Sequence, residues 1–372
     1  MKSILSFFLL LNFLVFPQSQ LKVVTYNIMG MKPGTDPSTR LHHIIQNLKI
    51  INPDIIGIQE INEALNSGGI DNQAKQIADS LSNYFGVAYN YYYSQTHLSW
   101  NNQYKEFVGI ITKYPVEQQS YLQLATGVFP RRVVWNYINT PIGKINFFNT
   151  HLDYQSTAIR VTQAQQIIQF VNQQEASFPG IASILTGDFN DTPGSQPINL
   201  FVANSFVETW SQVNPTLSGY TMPSNSPTSK IDFIFKKDGG QLKIDSSVII
   251  MNKPYFASSF CSDHLGIMNY FSLKPLNVDE DKLLNEGFEL EQNYPNPFNP
   301  ITKISYTIPE DGVVTLKIYS LIGEEVAKLV NQYQYAGKHD VDFLAKNLPN
   351  GVYFYEMRLG EFVSVKKLLL LK

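Results

Sequence analysis

Cysteine is nearly absent from this 372-residue sequence, which contains only Cys261. A single thiol cannot form an intramolecular disulfide, and it cannot build a cysteine-based zinc site. Stability must therefore come from core packing, for which the composition is adequate because 44% of the residues are hydrophobic and 13% are aromatic. The length exceeds what one small domain needs and predicts two or three structural units.

An excess of charge of one sign is also lacking. The chain has 28 Lys and Arg against 31 Asp and Glu, a formal net charge of −3. This balance excludes a global positive field that would hold nucleic acid by electrostatics alone, although local patches stay possible. Partners must therefore be inferred from local motifs.

Long hydrophobic runs are missing beyond the N-terminus. There, Lys2 precedes an apolar run over residues 4–16 that is interrupted only by Ser6 and Asn12, and Pro17 and Ser19 follow. The run is too short to span a bilayer comfortably, and it is typical of a signal peptide, which we place at residues 1–19. A buried helix or strand of the first domain is the alternative. We expect an exported monomer with no stable membrane span.

Strand-like and helix-like patterns alternate over residues 20–274 and predict a layered α/β domain. Strands are predicted over 21–28, 55–59, 106–116, 133–139, 144–152, 183–188, 230–235 and 266–273, and helices over 40–51, 73–85 and 157–172. Residues 275–287 are polar, include the acidic run Asp279–Asp281, and read as a linker. Closely spaced strands then predict a small all-β Ig-like sandwich over 288–372.

Polar side chains stand at or just after the ends of the apolar strands. They are Asn27, Glu60, His151 with Asp153, Asp188 with Asn190, Asp232, and Asp263 with His264. Strand ends gather at one edge of an open α/β sheet, so these residues can meet. Carboxylates and an amide suit Mg²⁺, Mn²⁺ or Ca²⁺, and a His beside an acidic group suits proton transfer at neutral pH. Singly, each has a structural explanation, such as a turn cap; together they indicate a catalytic site.

The stretch ILTGDFND (184–191) divides between these two interpretations. Asp191 leads into Thr-Pro-Gly and is expected to be a turn residue. Asp188 and Asn190 alternate at a predicted strand end, so both are expected to face the same side.

Two further groups have open interpretations. Arg160 and Gln163 are three apart on a predicted helix and either brace the loop after His151 or face solvent. Aromatic residues precede the strand at 106, in a predicted loop; ordinary packing is favoured over stacking on a base or lipid headgroup. These are Tyr91, Tyr92, Tyr93, Trp100 and Tyr104.

Six motifs carry a resemblance to a known family. TYNIMG (25–30), DIIGIQE (54–60), NTHLDY (149–154), LTGDFND (185–191), KIDFIF (230–235) and SDHLG (262–266) occur in the order seen in the endonuclease/exonuclease/phosphatase superfamily. The resemblance covers residues 20–274. It implies a deoxyribonuclease-I-like four-layer α/β/β/α sandwich, with the site at one edge of two packed sheets.

The resemblance also implies roles for the matching residues. Glu60 looks like the main ligand of a divalent metal, with Asn27 and Asp263 beside it. Mg²⁺ is the expected ion, and Mn²⁺ and Ca²⁺ are the alternatives. Asp188 and Asn190 resemble the pair that orients the attacking water and holds the scissile phosphate.

Histidines complete the implied catalytic set. His264 with Asp232 resembles a dyad that acts on the nucleophilic water or on a phosphate oxygen. His151 looks like the second His, which helps to protonate the leaving oxygen.

Two segments resemble the deoxyribonuclease branch in particular. QYKEFVGII (103–111) makes Glu106 the candidate partner of the second catalytic His. GVFPRRVVW (127–135) makes Arg131 the candidate phosphate contact, with Arg132 as substitute. Met29 departs from apurinic endonucleases, which have an acidic residue two positions after the first Asn, so that repair role is not expected.

The C-terminal region resembles the sorting domain of type IX secretion substrates. YPNPFNP (294–300), Gly-Glu-Glu-Val (323–326) and GVYFY (351–355) carry the match, and an Ig-like binding module is the alternative. We therefore expect a protein of a Bacteroidetes-like bacterium, secreted or at the cell surface, that contacts the type IX machinery.

The expected function is metal-dependent hydrolysis of phosphodiesters by direct attack of water, with nucleic acid as the substrate. A sphingomyelinase-like enzyme or a sugar- or inositol-phosphate phosphatase of the same superfamily is the alternative. A non-catalytic surface-binding protein is a third possibility, and it would require a lost catalytic group.

Overall fold

A computed structural model describes residues 20–274, 287–320, 324–360 and 362–371. Contacts within the chain divide it into two compact units, Met1–Lys274 and Pro275–Lys372. The proposed signal peptide and all of the proposed linker except Gly287 lie outside the described residues. Within the described part of the chain, no helix is long and apolar enough to cross a membrane.

The first unit contains two six-stranded sheets. The first sheet has the order β11-β12-β1-β2-β4-β3, and the second has the order β5-β6-β7-β8-β10-β9. The strands are β1 (Leu21–Asn27), β2 (Ile55–Ala64), β3 (Asn90–Ser99), β4 (Tyr104–Thr112), β5 (Val116–Gln123), β6 (Arg132–Thr140), β7 (Gly143–His151), β8 (Ala182–Asp188), β9 (Val207–Glu208), β10 (Asp232–Lys237), β11 (Leu242–Ile250) and β12 (Gly266–Leu273). The helices are α1 (Pro37–Ile51), α2 (Gln73–Phe85), α3 (Thr157–Ser177), α4 (Gln196–Ala203) and α5 (Thr209–Val213).

Three apolar cores hold four layers together, as the resemblance implied. Helices α1 and α2 pack on the outer face of the first sheet through residues such as Ile44 and Ile77. Helices α3 and α4 cover the outer face of the second sheet, where Ile167 is fully buried. A third core, which includes Val23 and Phe147, fills the space between the sheets. The fold is the predicted α/β/β/α sandwich.

A polar network also crosses between the sheets. Gln59 Nε2 donates to Asn149 Oδ1 at 2.7 Å, and Thr186 Oγ1 donates to the same oxygen at 3.0 Å. Asn149 Nδ2 donates in turn to the backbone carbonyls of Ile58 and Gly109. Asn149 can make these hydrogen bonds only when the two sheets are aligned as they are here. The network therefore fixes the alignment of the sheets directly below the strand ends.

The sequence prediction missed the edge strands. β3, β5, β9 and β11 form the four edges of the two sheets. Edge strands are half-solvated and lack a continuous apolar run; β5, for example, has the sequence VEQQSYLQ. The predicted strand 106–116 therefore ends at Thr112, and the aromatic segment predicted as a loop belongs largely to β3. Helix α3 also runs five residues beyond its predicted end, to Ser177.

The second unit is the predicted all-β sandwich. Its sheets have the orders β13-β14-β17 and β16-β15-β18-β19, and all strand pairs are antiparallel. The strands are β13 (Glu289–Leu290), β14 (Ile301–Ile308), β15 (Gly312–Ser320), β16 (Glu325–Gln334), β17 (Gly337–Leu344), β18 (Gly351–Leu359) and β19 (Phe362–Leu370). One apolar core, with Tyr355 and Leu316 fully buried, joins the two sheets.

Candidate functional site

Strand pairing brings the predicted site residues to one edge of the two sheets. β7 and β8 are parallel, with His151 opposite Asp188, and β10 is antiparallel to β8, with Asp232 opposite Asp188. β1 and β2 are parallel, with Asn27 opposite Gln59. Residues from five separate sequence motifs therefore converge.

A cavity of about 510 Å³ opens at this edge. Eight of the predicted residues line it: Glu60, Glu106, Arg131, His151, Asp188, Asn190, Asp263 and His264. Asn27 and Asp232, both fully buried, lie beneath and contact lining residues. The volume is that of a small-molecule or single-nucleotide site.

Asp188 stands at the centre of this cluster. Its Oδ2 lies 3.4 Å from His151 Nε2 and 3.6 Å from His264 Nε2, and it accepts a hydrogen bond from Asn27 Nδ2 at 3.1 Å. Burial raises the pKa of Asp188, while the charge of His264 opposes this shift. The carboxylate is thus placed between two imidazoles and can exchange protons with its surroundings near neutral pH.

His264 is oriented by Asp232. Its Nδ1 lies 2.9 Å from Asp232 Oδ2, so the Nδ1 proton points at the carboxylate and Nε2 faces Asp188 and the cavity. Burial alone would lower the pKa of His264, but the carboxylates of Asp232 and Asp188 outweigh it and raise the pKa. The arrangement therefore favours a charged His264 that donates through Nε2.

In His151, unlike His264, the Nδ1 atom accepts a hydrogen bond. Arg131 Nη1 lies 3.1 Å from His151 Nδ1, and since a guanidinium can only donate, Nδ1 must accept. Burial, together with the charge of Arg131, lowers the pKa of His151 well below its usual value. His151 is thus a neutral imidazole whose single proton is on Nε2, directed toward Asp188.

Glu106 does not contact the residue that the sequence predicted. Its Oε1 lies 3.6 Å from His97 Nε2 and 3.7 Å from Arg131 Nη1, and Arg131 separates it from His151. Burial and the nearby Glu60 raise the pKa of Glu106. The expected Glu–His pairing is replaced by a relay through Arg131, because the side chain of Arg131 occupies the space between the two groups.

Glu60 and its neighbours form an oxygen-rich corner. Asn27 Nδ2 donates to Glu60 Oε1 at 3.0 Å, and Asn27 Oδ1 accepts from the Met29 backbone N–H. Asp263 is half-exposed and pairs with Lys32 at 3.1 Å. The carboxylates of Glu60 and Asp263 are hard oxygen ligands that fit a divalent cation such as Mg²⁺. Asn27 can add only its Oδ1 atom, because its Nδ2 atom faces Glu60. A second acidic group adjoins them: ligand atoms of Asp188, Asp232 and His264 all lie within 4.8 Å of one another.

Asn190 reaches the cavity by a different route from the predicted one. β8 ends at Asp188, and Asn190 has a left-handed backbone with φ of 51°. Its backbone N–H donates to Asp188 Oδ1 at 2.9 Å, and its side-chain amide donates to the Leu152 carbonyl. A tight Asx turn, not strand alternation, therefore places Asp188 and Asn190 side by side.

Asp191 and helix α3 brace this turn. Arg160 is buried and donates to Asp191 Oδ2 at 2.8 Å and to the Asp153 carbonyl at 3.0 Å. Gln163 is fully buried and accepts from the Asp153 backbone N–H. The bracing interpretation of Arg160 and Gln163 is confirmed, and the solvent-exposed one is wrong.

Several lining residues had no sequence signal. His97 lies on an edge strand without apolar alternation, and Asn101 and Asn102 lie in a turn that matches none of the motifs. Trp100, Asn101 and Asn102 are three successive residues with positive φ, and of these only Trp100 was singled out from the sequence. Trp100 Nε1 donates to Asn62 Oδ1 at 3.0 Å and holds this turn at the cavity wall.

Arg132, the predicted substitute for Arg131, points elsewhere. It donates to Gln123 and to Ser94 and stacks on Tyr121. Arg131, by contrast, is 3% exposed, and its Nε has no hydrogen-bond partner among the described residues. A buried, unpartnered guanidinium N–H beside two histidines is suited to bind an anionic oxygen.

The profile of the endonuclease/exonuclease/phosphatase family matches residues 24–264. The chain belongs to this family. It is therefore a divalent-metal-dependent hydrolase of phosphate esters, and the match spans every candidate site residue. Among curated proteins, none matches this sequence.

Solved structures of this family share the fold. A family protein from Leptotrichia buccalis is 21% identical; the alignment covers 68% of this chain and 99% of that chain, with a TM-score of 0.57. The mannosyl-6-phosphatase Bt3783 of Bacteroides thetaiotaomicron is 20% identical over 68% and 99%, with a TM-score of 0.55. Truncated TDP2 of Caenorhabditis elegans is 17% identical over 68% and 97%, with a TM-score of 0.51.

The second unit has its own match. The profile of the secretion system C-terminal sorting domain covers residues 292–371. This domain indicates export by type IX secretion to the cell surface or the extracellular space, and it implies contact with that machinery.

Proposed function

We propose that this hydrolase is a secreted nuclease that cleaves phosphodiester bonds of extracellular DNA or RNA by direct attack of water. The observation that carries the proposal is the position of Asp188 between two histidine Nε2–H donors, one on the charged ring of His264 and one on the neutral ring of His151, beside an Arg131 N–H that has no partner among the described residues. That arrangement supplies a base, an acid and an anion contact within one cavity. We also propose that residues 1–19 are removed as a signal peptide and that 288–372 direct secretion.

Glu60, Asn27 and Asp263 would hold the divalent ion, with Mg²⁺ as our choice and Mn²⁺ or Ca²⁺ as alternatives. When bound, such an ion neutralises charge on the phosphate and acidifies a coordinated water. Asn27 also links this corner to Asp188, because its amide donates to both carboxylates. The proposed ligands and the proposed base are thereby held in one rigid unit.

Each side chain around the phosphate has a proposed task. Asp188 accepts the proton of the attacking water, and the backbone bond from Asn190 keeps its carboxylate aligned. Arg131 Nε and the Asn190 amide donate to non-bridging phosphate oxygens. His264 Nε2 donates to a phosphate oxygen, and Asp232 fixes its ring. His151 Nε2–H donates a hydrogen bond to the leaving oxygen and so assists its protonation, for which the charged His264 supplies the proton.

A sugar-phosphate phosphatase is the second candidate. The structural neighbour from Bacteroides thetaiotaomicron is a mannosyl-6-phosphatase, and the cavity is large enough for a hexose phosphate. The same catalytic groups would serve a phosphomonoester. The two candidates differ only in what occupies the cavity beyond the phosphate.

A substrate panel tests the proposal. The purified full-length chain is incubated with Mg²⁺ or Mn²⁺ against DNA, RNA, sphingomyelin, mannose 6-phosphate and inositol phosphate. We expect cleavage of nucleic acid, abolished in Asp188→Asn and retained in Asp79→Asn, whose side chain lies exposed on α2. Hydrolysis of lipid or monoester alone would reject the nuclease, and inactivity of a folded chain on all substrates would reject the enzyme.

A further inference from the structure

Three aromatic rings form a stack along the wall of the cavity. His97 and Phe129 have ring centroids 4.2 Å apart and planes inclined by 12°; Phe129 and Tyr154 are 6.2 Å apart at 26°. All three side chains line the cavity, and Tyr154 is 47% exposed. We call these three residues the aromatic stack. Its exposed end presents a flat π surface to whatever enters the cavity.

The aromatic stack adjoins the phosphate-binding groups. His97 Nε2 lies 3.6 Å from Glu106, which lies 3.7 Å from Arg131, and Arg131 contacts His151. Burial, with help from the charge of Arg131, lowers the pKa of His97 to about 4, so its ring is neutral at pH 7. The stack is therefore a neutral aromatic surface next to the site that binds the phosphate.

A buried carboxylate fixes the two loops that carry the stack. Asp153 is fully buried and accepts from the backbone N–H of Val128 on one loop and of Gln155 and Ser156 on the other. Gly127 leaves the room for this contact, since a Cβ there would lie 2.1 Å from Asp153 Oδ2. Phe129 and Tyr154 are thus held next to each other before any ligand binds, which lowers the entropy cost of binding.

We propose that Phe129 and Tyr154 form a subsite that stacks on one unpaired nucleobase next to the scissile phosphate, which makes single-stranded nucleic acid the preferred substrate. This inference rests on the proposed nuclease function. A base inside a duplex is paired and covered on both faces by its neighbours, so it cannot lie on a protein ring within a cavity of about 510 Å³. An unpaired base can, and stacking tolerates any base because each has a π face.

The first test uses the full-length chain without mutation. Its kcat/KM is measured with Mg²⁺ on a single-stranded oligonucleotide, on the same strand in a duplex, and on the strand with abasic residues replacing its nucleotides. We expect kcat/KM for the single strand to be at least about tenfold higher than for the duplex or for the abasic strand, because neither of these can place a base on the aromatic stack. Equal rates on all three would overturn the subsite.

The second test compares matched tyrosine variants. Tyr154→Ala should raise KM for the single strand about tenfold with little change in kcat, and Tyr154→Phe should restore it. Tyr121→Ala is the control, since Tyr121 is also 47% exposed but lies on β5 outside the cavity lining. Melting temperatures verify folding, and Phe129→Ala should reproduce the effect.

Failures of the two proposals are distinguishable. Cleavage of nucleic acid with Tyr154→Ala indistinguishable from Tyr121→Ala would reject the subsite and leave the nuclease intact. Turnover of mannose 6-phosphate but of no nucleic acid would reject both and assign the aromatic stack to a sugar ring.

Discussion

Arg131 Nη1 lies 3.1 Å from His151 Nδ1, and this one contact decides which nitrogen of His151 carries the proton. A guanidinium cannot accept, so His151 must present Nε2–H toward Asp188. In His264 the arrangement is reversed, because its Nδ1 carries a proton and donates it to Asp232. The neighbouring side chains alone therefore make Nδ1 an acceptor in His151 and a donor in His264.

The Arg131 contact makes a prediction for substitution. Arg131→Lys keeps a positive charge but loses the planar donor pair that reaches both His151 and a phosphate oxygen. We expect kcat/KM to fall about 10²-fold, as for loss of one transition-state donor, while the folded state persists. Steady-state kinetics measure kcat/KM. The control is Arg132→Lys, because Arg132 lies outside the cavity lining. Equal losses in both variants would contradict the assignment.

The Asp232–His264 pair gives a second prediction, for the substitution of Asp232. Asp232→Asn preserves the shape of the side chain but removes the charge that orients and protonates the His264 ring. We expect kcat to fall about 10³-fold with KM little changed, since the effect is on proton placement. A fall in the melting temperature large enough to unfold the variant at the assay temperature would instead show a structural role.

The network between the sheets predicts a stability effect. Asn149→Ala would remove the side-chain donor to the buried carbonyls of Ile58 and Gly109, whereas Gln59 Nε2 would keep its bond to Thr25 Oγ1. At about 1–3 kcal/mol for each of the two carbonyls, the free energy of unfolding should fall by about 2 kcal/mol or more. Urea denaturation measures it, with the exposed Asn139→Ala as control, for which a change below about 0.5 kcal/mol is expected. Similar values for both would refute the role of the network.

The oxygen-rich corner predicts a metal dependence. Chelation should abolish activity, and added Mg²⁺ should restore it. Glu60→Gln should raise the Mg²⁺ concentration required for half-maximal activity at least about tenfold, because a charged oxygen ligand is lost. Glu117→Gln, an exposed residue paired with Lys144, should titrate like the unchanged chain. An unaltered Mg²⁺ titration of Glu60→Gln would remove Glu60 from the ligand set.

Much of the site was predictable because it is encoded at the ends of central strands. Asp188 ends β8, Asp232 begins β10 and His264 lies two residues before β12, and the order and direction of the strands then bring the three side chains together. The all-β second unit was predictable for a related reason, since its turns recur at short intervals.

The unpredicted part depends on edges and on turns. His97 lies on the edge strand β3, whose solvent-facing residues hide the strand periodicity, so its contact with Glu106 could not be seen in the sequence. Asn190 depends on a left-handed turn that residue alternation does not describe. The route from Glu106 to His151 through Arg131 depends on side-chain packing across two sheets, which no local pattern encodes.

The central claim is that water, activated beside Asp188, attacks the phosphorus of a nucleic-acid phosphodiester. Cleavage of a single-stranded oligonucleotide in H₂¹⁸O with Mg²⁺ tests it most directly. We predict one ¹⁸O in the new terminal phosphate for each bond cleaved, and a rate at least about 10³-fold lower for a folded Asp188→Asn variant. Cleavage without ¹⁸O in the phosphate, or an Asp188→Asn variant as fast as the unchanged chain, would contradict the account.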